Sequence, residues 1–346
     1  MQYVQLGRTG LYVSPICIGA MTYGEPTRGI PVWSLDEAAS RPLIRHALEA
    51  GINFFDTANI YSKGSSEEIL GRALRDFASR EDVVIATKLC HAMREGPNGA
   101  GLSRKAILAE IDHSLRRLDV DYVDLYQIHC VDPLTPWEET LEALHDVVKA
   151  GKARYLGASS MPAWEFSKAL HIQKENGWSR FVSMQNHYNL LAREEEREML
   201  PLCEDEGIGA VVWSPLARGR LTRPWGEATA RSEADPFVRI LYDATAASDR
   251  EIIRAVGEIA TARGISHAQV ALSWLRRNSV VTSAILGAHK PNHINEAIFS
   301  VSIELTAEEV ASLEEHYTPR HDFQSTPNPT VATRHCSQIK SIPIAT

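Results

Sequence analysis

Residues that can exchange or stabilise a proton stand at the ends of three consecutive apolar segments. Asp56 ends INFFD, Lys88 ends VVIATK and His129 ends DLYQIH. Tyr61 follows Asp56 by five residues, near enough to fold back over it. A carboxylate at the end of an apolar segment is costly unless a cation or hydrogen-bond donors meet it, and Lys88 supplies a cation. A carboxylate, an ammonium, a phenol and an imidazole together suit general acid–base chemistry.

Taken singly, each of these residues also has a structural explanation. Asp56 and Lys88 alone would be an ordinary ion pair. His129 alone would be a polar residue with satisfied hydrogen bonds, and Tyr61 alone would pack its ring in a loop. Three consecutive strand ends with a tyrosine in reach are difficult to attribute to packing, so we favour a catalytic site.

The elements that position these residues repeat as strand, loop and helix. Gly51, Gly151 and Gly207 each follow a helical segment and precede an apolar one, which is typical of a helix that ends in a left-handed turn. Eight such units, with no linker between them, predict a single (β/α)8 TIM barrel rather than two domains. The predicted strands lie near residues 16–19, 52–56, 83–87, 123–128, 154–158, 181–186, 209–213 and 281–286.

Several segments fall outside this repeat. The opening segment YVQLGRTGLYVS predicts an N-terminal β-hairpin that closes the barrel floor. We expect the barrel to span residues 1–316 and residues 317–346 to form a C-terminal tail that covers the active site. Residues 20–35 and 214–247 exceed ordinary connections and predict long active-site loops. In such a barrel the carboxyl ends of the strands form the active site.

Helix starts are predicted from capping boxes, in which a Ser or Thr precedes a Glu by three residues. Ser65, Thr135, Ser248 and Thr306 each have that spacing. These signals bear on structure only.

Composition bears on the class of protein. The chain has 346 residues, 44% of them hydrophobic and 23% charged, as expected for a globular protein. A formal net charge of −8 argues against broad binding to nucleic acid or to an anionic membrane. We see no signal segment and no apolar run suited to a membrane span, and we expect a cytoplasmic location. The five cysteines contain no Cys-x-x-Cys pair, and neither they nor the histidines indicate a disulfide framework or a metal site.

The sequence resembles the aldo-keto reductases, and it looks most like their bacterial branch, which has a long segment between the first strand and the first helix. The resemblance covers nearly all of residues 1–316. It rests on segments that occur in family order, namely GINFFDTANIY, VVIATK, DLYQIH, GASS, SMQNHYN, WSPLARGRL and ILGAHK. It implies reversible reduction of an aldehyde or ketone to an alcohol with NADPH. By matching position, it implies a catalytic tetrad of Asp56, Tyr61, Lys88 and His129.

The chemistry implied for this tetrad agrees with its residue types. Hydride addition to a carbonyl creates an alkoxide that must be protonated, and a tyrosine with its ordinary pKa of about 10 is a reluctant donor. Lys88 beside Tyr61 would favour the phenolate, and Asp56 would hold Lys88 charged. His129 would donate a hydrogen bond to the carbonyl oxygen and orient the substrate.

The same resemblance implies an NADPH site on the neighbouring strand ends. Ser159 and Gln185 would hold the nicotinamide amide and Trp213 would stack on the ring, although a helix cap, a satisfied amide and a core residue are alternatives. Lys290 and His293 stand where the family places groups that meet a 2′-phosphate, which favours NADPH over NADH. The cofactor residues implied are Ser159, Ser160, Gln185, Trp213, Ser214, Leu216, Arg218, Gly219, Arg220, Arg223, Gly287, His289, Lys290, His293 and Glu296.

Three arginines stand in the segment that follows Trp213. With its backbone donors and Gly219, the segment suits a pyrophosphate, but a solvated surface is the alternative. The partner expected from the resemblance is a small carbonyl compound or alcohol, and the oligomeric state stays open.

The substrate is the least determined part of the hypothesis. Tyr23, Trp33 and Cys130, with Phe323 of the tail, are predicted to shape a pocket for aldehydes or bulkier ketones. One alternative is a Schiff-base lyase that uses Lys88, although a neighbouring carboxylate would keep the lysine protonated. Another is a regulatory subunit that binds NADPH and senses redox state without catalysis.

Overall fold

The computed structural model describes residues 1–229 and 233–320, and the chain opens with an antiparallel β-hairpin of β1 (Val4–Gln5) and β2 (Tyr12–Val13). Leu6 and Val13 of this hairpin are fully buried against the apolar interior of the barrel. The Arg8 N–H donates to the Gly207 carbonyl, 2.8 Å away, in the turn before a barrel strand. The hairpin therefore closes the floor of the barrel, as predicted.

In the described residues, eight parallel strands close into a barrel in chain order. The last strand pairs with both the first barrel strand and its own predecessor, which completes the ring. All eight predicted strands and the predicted TIM barrel are confirmed. The strands are β3 (Ile16–Gly19), β4 (Phe54–Asp56), β5 (Val84–Leu89), β6 (Val123–Ile128), β7 (Ala153–Ser159), β8 (Phe181–His187), β9 (Gly209–Trp213) and β10 (Val281–Leu286).

Helices surround the barrel and pack their apolar faces on the strands. Gly51, Gly151 and Gly207 have φ values of 86°, 74° and 68°, so the predicted left-handed turns between helix and strand are confirmed. The helices are α1 (Glu37–Glu49), α2 (Ser65–Phe77), α3 (Arg104–Leu118), α4 (Trp137–Lys149), α5 (Ala163–Glu175), α6 (Met199–Glu206), α7 (Pro236–Tyr242), α8 (Ala246–Arg263), α9 (His267–Leu275), α10 (Pro291–Ser300) and α11 (Ala307–Glu314).

The predicted capping boxes are only partly confirmed. Thr306 forms the full box with Glu309 at the start of α11. Ser65 does not cap α2, because its hydroxyl accepts from the Glu25 N–H at 2.8 Å and donates to the Ser62 carbonyl at 3.0 Å. Ser248 lies inside α8, which begins at Ala246, so that prediction is wrong as well. The prediction at Thr135 is also wrong, because the N-cap residue of α4 is Pro136 and the Thr135 hydroxyl donates to Asp132 at 2.7 Å.

The long segments that were predicted as loops have structure of their own. Residues 214–247 contain α7, which is capped by Asp235. At the start of the tail, the Arg320 guanidinium forms a buried ion pair with Asp249 at 2.7 Å. Residues 321–346, and with them the predicted cover of the active site and Phe323, lie outside the described residues.

Two sequence-based exclusions can be compared with the described part of the chain. No helix there is long and apolar enough to cross a membrane. Within the same residues, no group of three or more His, Cys, Asp or Glu side chains is arranged to hold a metal ion.

Candidate active site

Three polar residues meet where β4, β5 and β6 end. Asp56 is the last residue of β4 and is 2% exposed, and Lys88 of β5 is fully buried. His129 follows β6, and its N–H donates to the Leu89 carbonyl at 2.8 Å. Parallel pairing of the three strands therefore brings together the three side chains that the sequence placed at consecutive strand ends.

The Lys88 ammonium lies at the centre of this group. It forms an ion pair with Asp56 Oδ1 and donates to the Thr57 carbonyl at 2.8 Å. Its Nζ also lies 3.2 Å from the Tyr61 hydroxyl. The three N–H groups of an ammonium thus have three acceptors, which explains how the charge is tolerated without exposure to water.

A short turn after β4 carries Tyr61 back over the strand end. The Tyr61 N–H donates to the Ala58 carbonyl at 3.2 Å, and Ser62 and Lys63 then take left-handed φ values of 45° and 47°. Such backbone conformations are unfavourable for residues with a side chain and are often found at functional sites. The turn sets the Tyr61 ring edge-on to the His129 ring, with centroids 5.8 Å apart.

The second oxygen of Asp56 is held by two amides that sequence analysis did not connect to it. Gln127 Nε2 and Gln185 Nε2 each donate to Asp56 Oδ2 at 2.9 Å. Sequence analysis missed Gln127 altogether. The only sign of it in the sequence was an amide side chain between the apolar residues Tyr126 and Ile128 of the segment DLYQIH. The strand that contains it, β6, is buried along its whole length.

Burial and charge act in opposite directions on the ionisable groups. Burial raises the pKa of Tyr61 above its ordinary value, and the neighbouring Lys88 charge opposes that rise. Burial acts to lower the pKa of Lys88, but the ion pair with Asp56 and the neighbouring Tyr61 outweigh it, so the pKa of Lys88 is raised. Lys88 is therefore a permanent cation at neutral pH, and it stabilises negative charge on the phenol oxygen.

The next three strand ends gather the residues predicted to hold the nicotinamide. Ser159 ends β7, and its hydroxyl donates to the Gln185 carbonyl on β8 at 3.0 Å and lies 3.0 Å from the Ser160 hydroxyl. Ser159 is not a helix cap, since α5 is preceded by Pro162. Trp213 ends β9 and is partly exposed, so it is not a core residue.

One face of the Trp213 ring is covered by a histidine. The His187 ring stacks on it with centroids 4.2 Å apart and planes 12° apart. Burial, with help from the Arg320 and Arg218 charges, lowers the pKa of His187 to about 3, so this imidazole is neutral at pH 7. The stack fixes the plane of the indole at the strand end.

The arginines after β9 mostly hold their own loop. Arg218 is 9% exposed and pairs with Asp235 at 2.6 Å, and Arg220 pairs with Asp243 at 2.8 Å. Arg223 contacts the Thr222 and Thr229 hydroxyls.

The backbone of the same segment turns sharply. Ser214, Ala217, Arg218 and Gly219 all have left-handed φ values, and the Gly219 N–H donates to the Leu216 carbonyl at 2.8 Å. A loop with this conformation presents backbone N–H groups of the kind that bind phosphates.

The residues predicted to surround the adenosine cluster at the start of α10. Lys290 is the exposed N-cap residue, and His293 lies in the first turn, where its Nδ1 accepts from the His289 N–H at 3.4 Å. Glu296 accepts from Asn292 at 2.9 Å on the same helix, and Gly287 follows β10. A helix N-terminus with a lysine beside it favours an anion.

The residues predicted for the substrate pocket are placed less favourably. Tyr23 is fully buried, with its pKa raised by burial, so it does not line an open pocket here. Trp33 is partly exposed with its ring 5.8 Å from that of His289, on the adenosine side. Cys130 lies beside His129, with its sulfur 3.1 Å from that of Cys90, which places only this residue next to the tetrad.

Comparisons with known proteins agree on one family. The sequence model of the family described as "Aldo/keto reductase family" matches residues 15–318 of this chain. Versiconal hemiacetal acetate reductase of Aspergillus parasiticus is 46% identical over 341 residues, which cover 92% of this chain and 98% of that protein. An aldo-keto reductase of Alternaria alternata is 42% identical over 339 residues, 91% of each chain. A putative aryl-alcohol dehydrogenase of Saccharomyces cerevisiae is 38% identical over 340 residues, 92% of this chain and 98% of that protein.

These relatives all come from fungi. The expected likeness to a bacterial branch is therefore not supported, although the family itself is.

Proposed function

The chain belongs to the aldo/keto reductase family, and from this premise we propose that it reduces an aldehyde or ketone to an alcohol, reversibly, with NADPH and with Tyr61 as the proton donor. The observation that carries the proposal is the hydrogen-bonded series Asp56, Lys88 and Tyr61, with the His129 ring against the same phenol. Membership of this family, together with relatives that are named as reductases, supports carbonyl reduction as the reaction class.

The contacts of these residues support the following roles in the proposed reaction. NADPH, when bound, supplies a hydride for the carbonyl carbon. The Tyr61 hydroxyl gives a proton to the oxygen on which negative charge develops, and the Lys88 ammonium, 3.2 Å away, stabilises the phenolate that remains. His129 donates to the same oxygen and orients the carbonyl. In the oxidative direction, the phenolate accepts the proton from the alcohol.

The cofactor site that we propose uses the neighbouring strand ends. Ser159 and Gln185 would hold the carboxamide, and Trp213, one face of which stacks on His187, would stack on the nicotinamide ring. Arg223 and the left-handed backbone after Ser214 serve the pyrophosphate, while Arg218 and Arg220 hold the loop through their ion pairs. The predicted residues at the start of α10 would surround the adenosine, and the charge of Lys290 would bind the 2′-phosphate.

The contacts of Lys88 argue against the lyase alternative. Imine formation requires a neutral amine with a free lone pair. The Lys88 nitrogen is buried, donates to three acceptors and has a raised pKa, so it is a poor nucleophile. No contact in the described residues favours the sensing subunit, whereas the complete tetrad supports turnover.

A carbonyl panel tests the proposal. Because relatives carry the names aryl-alcohol dehydrogenase and versiconal hemiacetal acetate reductase, the panel should pair aromatic aldehydes with aliphatic aldehydes and ketones. We expect consumption of NADPH to depend on the carbonyl, and alcohol to appear in equal amount. Tight NADPH binding without turnover of any compound would favour the sensing subunit, and borohydride trapping of substrate on Lys88 would favour the lyase.

A further inference from the structure

We propose that Gln127 is a positioning residue for the reaction: it fixes the Asp56 carboxylate and, through Asp56 and Lys88, the state of the Tyr61 phenol. This inference rests on the proposed function, since its effect on turnover requires that Tyr61 exchange the proton. Gln127 lies on β6 and is fully buried, one residue before the end of the strand.

The hydrogen bonds at Asp56 divide between its two oxygens. Oδ1 receives the Lys88 ammonium, and Oδ2 receives Nε2 of Gln127 and Nε2 of Gln185, each at 2.9 Å. Hydrogen bonds donated to a carboxylate favour its ionised form. Gln127 therefore adds a hydrogen bond to the carboxylate that pairs with Lys88, and it prevents this carboxylate from rotating away from Lys88.

The Gln127 side chain has space because the neighbouring residue on β7, Gly157, has no side chain. Gln127 pairs in register with Gly157 on β7, and a Cβ atom on Gly157 would lie 2.9 Å from Gln127 Cγ and 2.6 Å from Ser183 Oγ. Gly157 is not among the residues with a left-handed backbone, so space rather than conformation explains the glycine. A glycine at position 157 therefore leaves the space that Gln127 needs beside the Asp56 carboxylate.

A neutral amide suits this position better than a charged donor. Asp56 and Lys88 already balance one another in a region with almost no exposure, and a second cation would leave an uncompensated charge. An amide donates to the carboxylate without adding charge.

The Asp56 carboxylate also settles the orientation of the Gln185 side-chain amide. An ionised carboxylate only accepts hydrogen bonds, so the nitrogen of Gln185 must face Asp56. That nitrogen also lies 3.3 Å from Gln127 Oε1. The side-chain oxygen of Gln185 is thus left to accept from another group. The two glutamines thereby join the proposed nicotinamide side of the site to the tetrad.

Two substitutions separate positioning from simple packing. Gln127→Met keeps the volume and removes the amide, and we expect kcat to fall by about 10-fold while KM for the carbonyl changes by less than about 2-fold. Gln127→Glu places two carboxyl groups together, so one of them takes up a proton with a raised pKa. While protonated, the introduced carboxyl group can donate to Asp56 as the amide does, so kcat relative to wild type should be near normal in acid and decline as pH rises.

A matched control is available in Gln173 on α5. This glutamine is also fully buried, and its amide donates to the Ser179 carbonyl at 2.9 Å and accepts from the Phe181 N–H at 3.1 Å, remote from the tetrad. Gln173→Met and Gln173→Glu should lower the thermal midpoint and leave the pH profile of kcat unchanged.

Stability measurements keep the test independent of turnover. A carboxyl whose pKa is raised in the folded protein binds more protons there than in the unfolded chain, so folding stability falls as pH rises above about 4.3. The difference in midpoint between Gln127→Glu and wild type should therefore widen with pH, even if no carbonyl substrate is turned over. A kcat of Gln127→Met within about 2-fold of wild type, or a pH-independent effect of Gln127→Glu on both kcat and midpoint, would overturn the proposal.

Discussion

At the scale of single residues, the buried Lys88 ammonium links structure to chemistry. Its charge is compensated by Asp56 on one side, and it lies against the Tyr61 hydroxyl on the other. Burial raises the pKa of Tyr61 and the Lys88 charge opposes this rise, so the phenol is protonated at neutral pH while Lys88 stabilises negative charge on it, as the proposed reaction requires in its two directions.

Tyr61→Phe removes one oxygen and preserves the ring. Since positioned acid catalysis is worth about 10²–10⁴ in rate, kcat should fall by at least that range while NADPH affinity changes little. Single-turnover reduction of an aldehyde and cofactor titration on one preparation would measure both. Tyr12→Phe is a suitable control, because Tyr12 lies on the hairpin and is 55% exposed. Turnover within a few fold of wild type would shift the proton-donor role to His129.

Lys88→Met should abolish most turnover and also destabilise the fold. Removal of one partner from a buried ion pair leaves the other charge uncompensated, which costs about 3–5 kcal/mol. Chemical denaturation of this variant and of the double variant Asp56→Asn with Lys88→Met would separate the two effects. The double variant should regain stability but not activity. Recovery of activity in it would show that Lys88 serves structure only.

At the scale of secondary-structure elements, ion pairs hold the segment after β9 in place. Arg218 joins this segment to Asp235, which also caps α7 by accepting from the Phe237 N–H at 3.1 Å. Both partners of that pair are nearly buried, so the pair fixes the relative position of the loop and α7.

Asp235→Asn should therefore loosen the loop while it retains the cap, because an asparagine can still accept from the Phe237 N–H. We expect NADPH to bind about 10-fold more weakly, as judged by fluorescence titration. Glu68→Gln breaks the exposed pair with Arg28, whose side chains are 28% and 42% exposed, and should change binding by less than about 2-fold. Equal effects of the two variants would argue against a role for the loop in cofactor binding.

The start of α10 allows a test of cofactor preference. Lys290→Glu replaces a cation at the helix N-cap with an anion, so NADPH should lose about 1.5–3 kcal/mol of binding energy and NADH much less. Lys149→Glu is the matched control, since Lys149 is exposed at the last turn of α4, near the floor of the barrel. If NADPH and NADH weaken equally, Lys290 does not bind the 2′-phosphate.

At the scale of the whole molecule, barrel closure brings the ends of all eight strands to one rim, and a buried ionisable group at that rim, His187 at the end of β8, couples folding to pH. The pKa of His187 is lowered to about 3, chiefly by burial. Between that value and the ordinary value of about 6.5, the unfolded chain binds the proton and the folded protein does not. Stability should therefore rise with pH through this window, by up to about 1.4 kcal/mol per pH unit.

His187→Gln removes this titration. The variant should lose less stability than wild type when the pH is lowered from about 6.5 to about 4, as measured by chemical denaturation. His171→Gln, at an exposed position on α5, should follow the wild-type pH dependence. A wild-type slope in the His187 variant would show that His187 is not buried in its neutral form.

The sequence by itself determined those features that depend on neighbouring residues. Strands such as Val84–Leu89 follow from a run of apolar residues, and the left-handed turns at Gly51 and Gly207 follow from the glycines themselves. The positions of Asp56, Lys88 and His129 at strand ends are likewise visible in the order of residue types along the chain. Together with the barrel pattern, this was enough to predict the fold and the location of the candidate site.

Only the tertiary structure decided which hydrogen-bond partner each polar group takes. Gln127 and Gln185 donate to Asp56 across separations of 71 and 129 residues, and Arg218 pairs with Asp235 within a loop that no local pattern defines. Ser65 had the sequence of a helix cap, yet its hydroxyl accepts from Glu25, 40 residues away. The physical reason is that a buried polar atom must be satisfied by whatever lies within about 3 Å, and closure of the barrel determines what lies there.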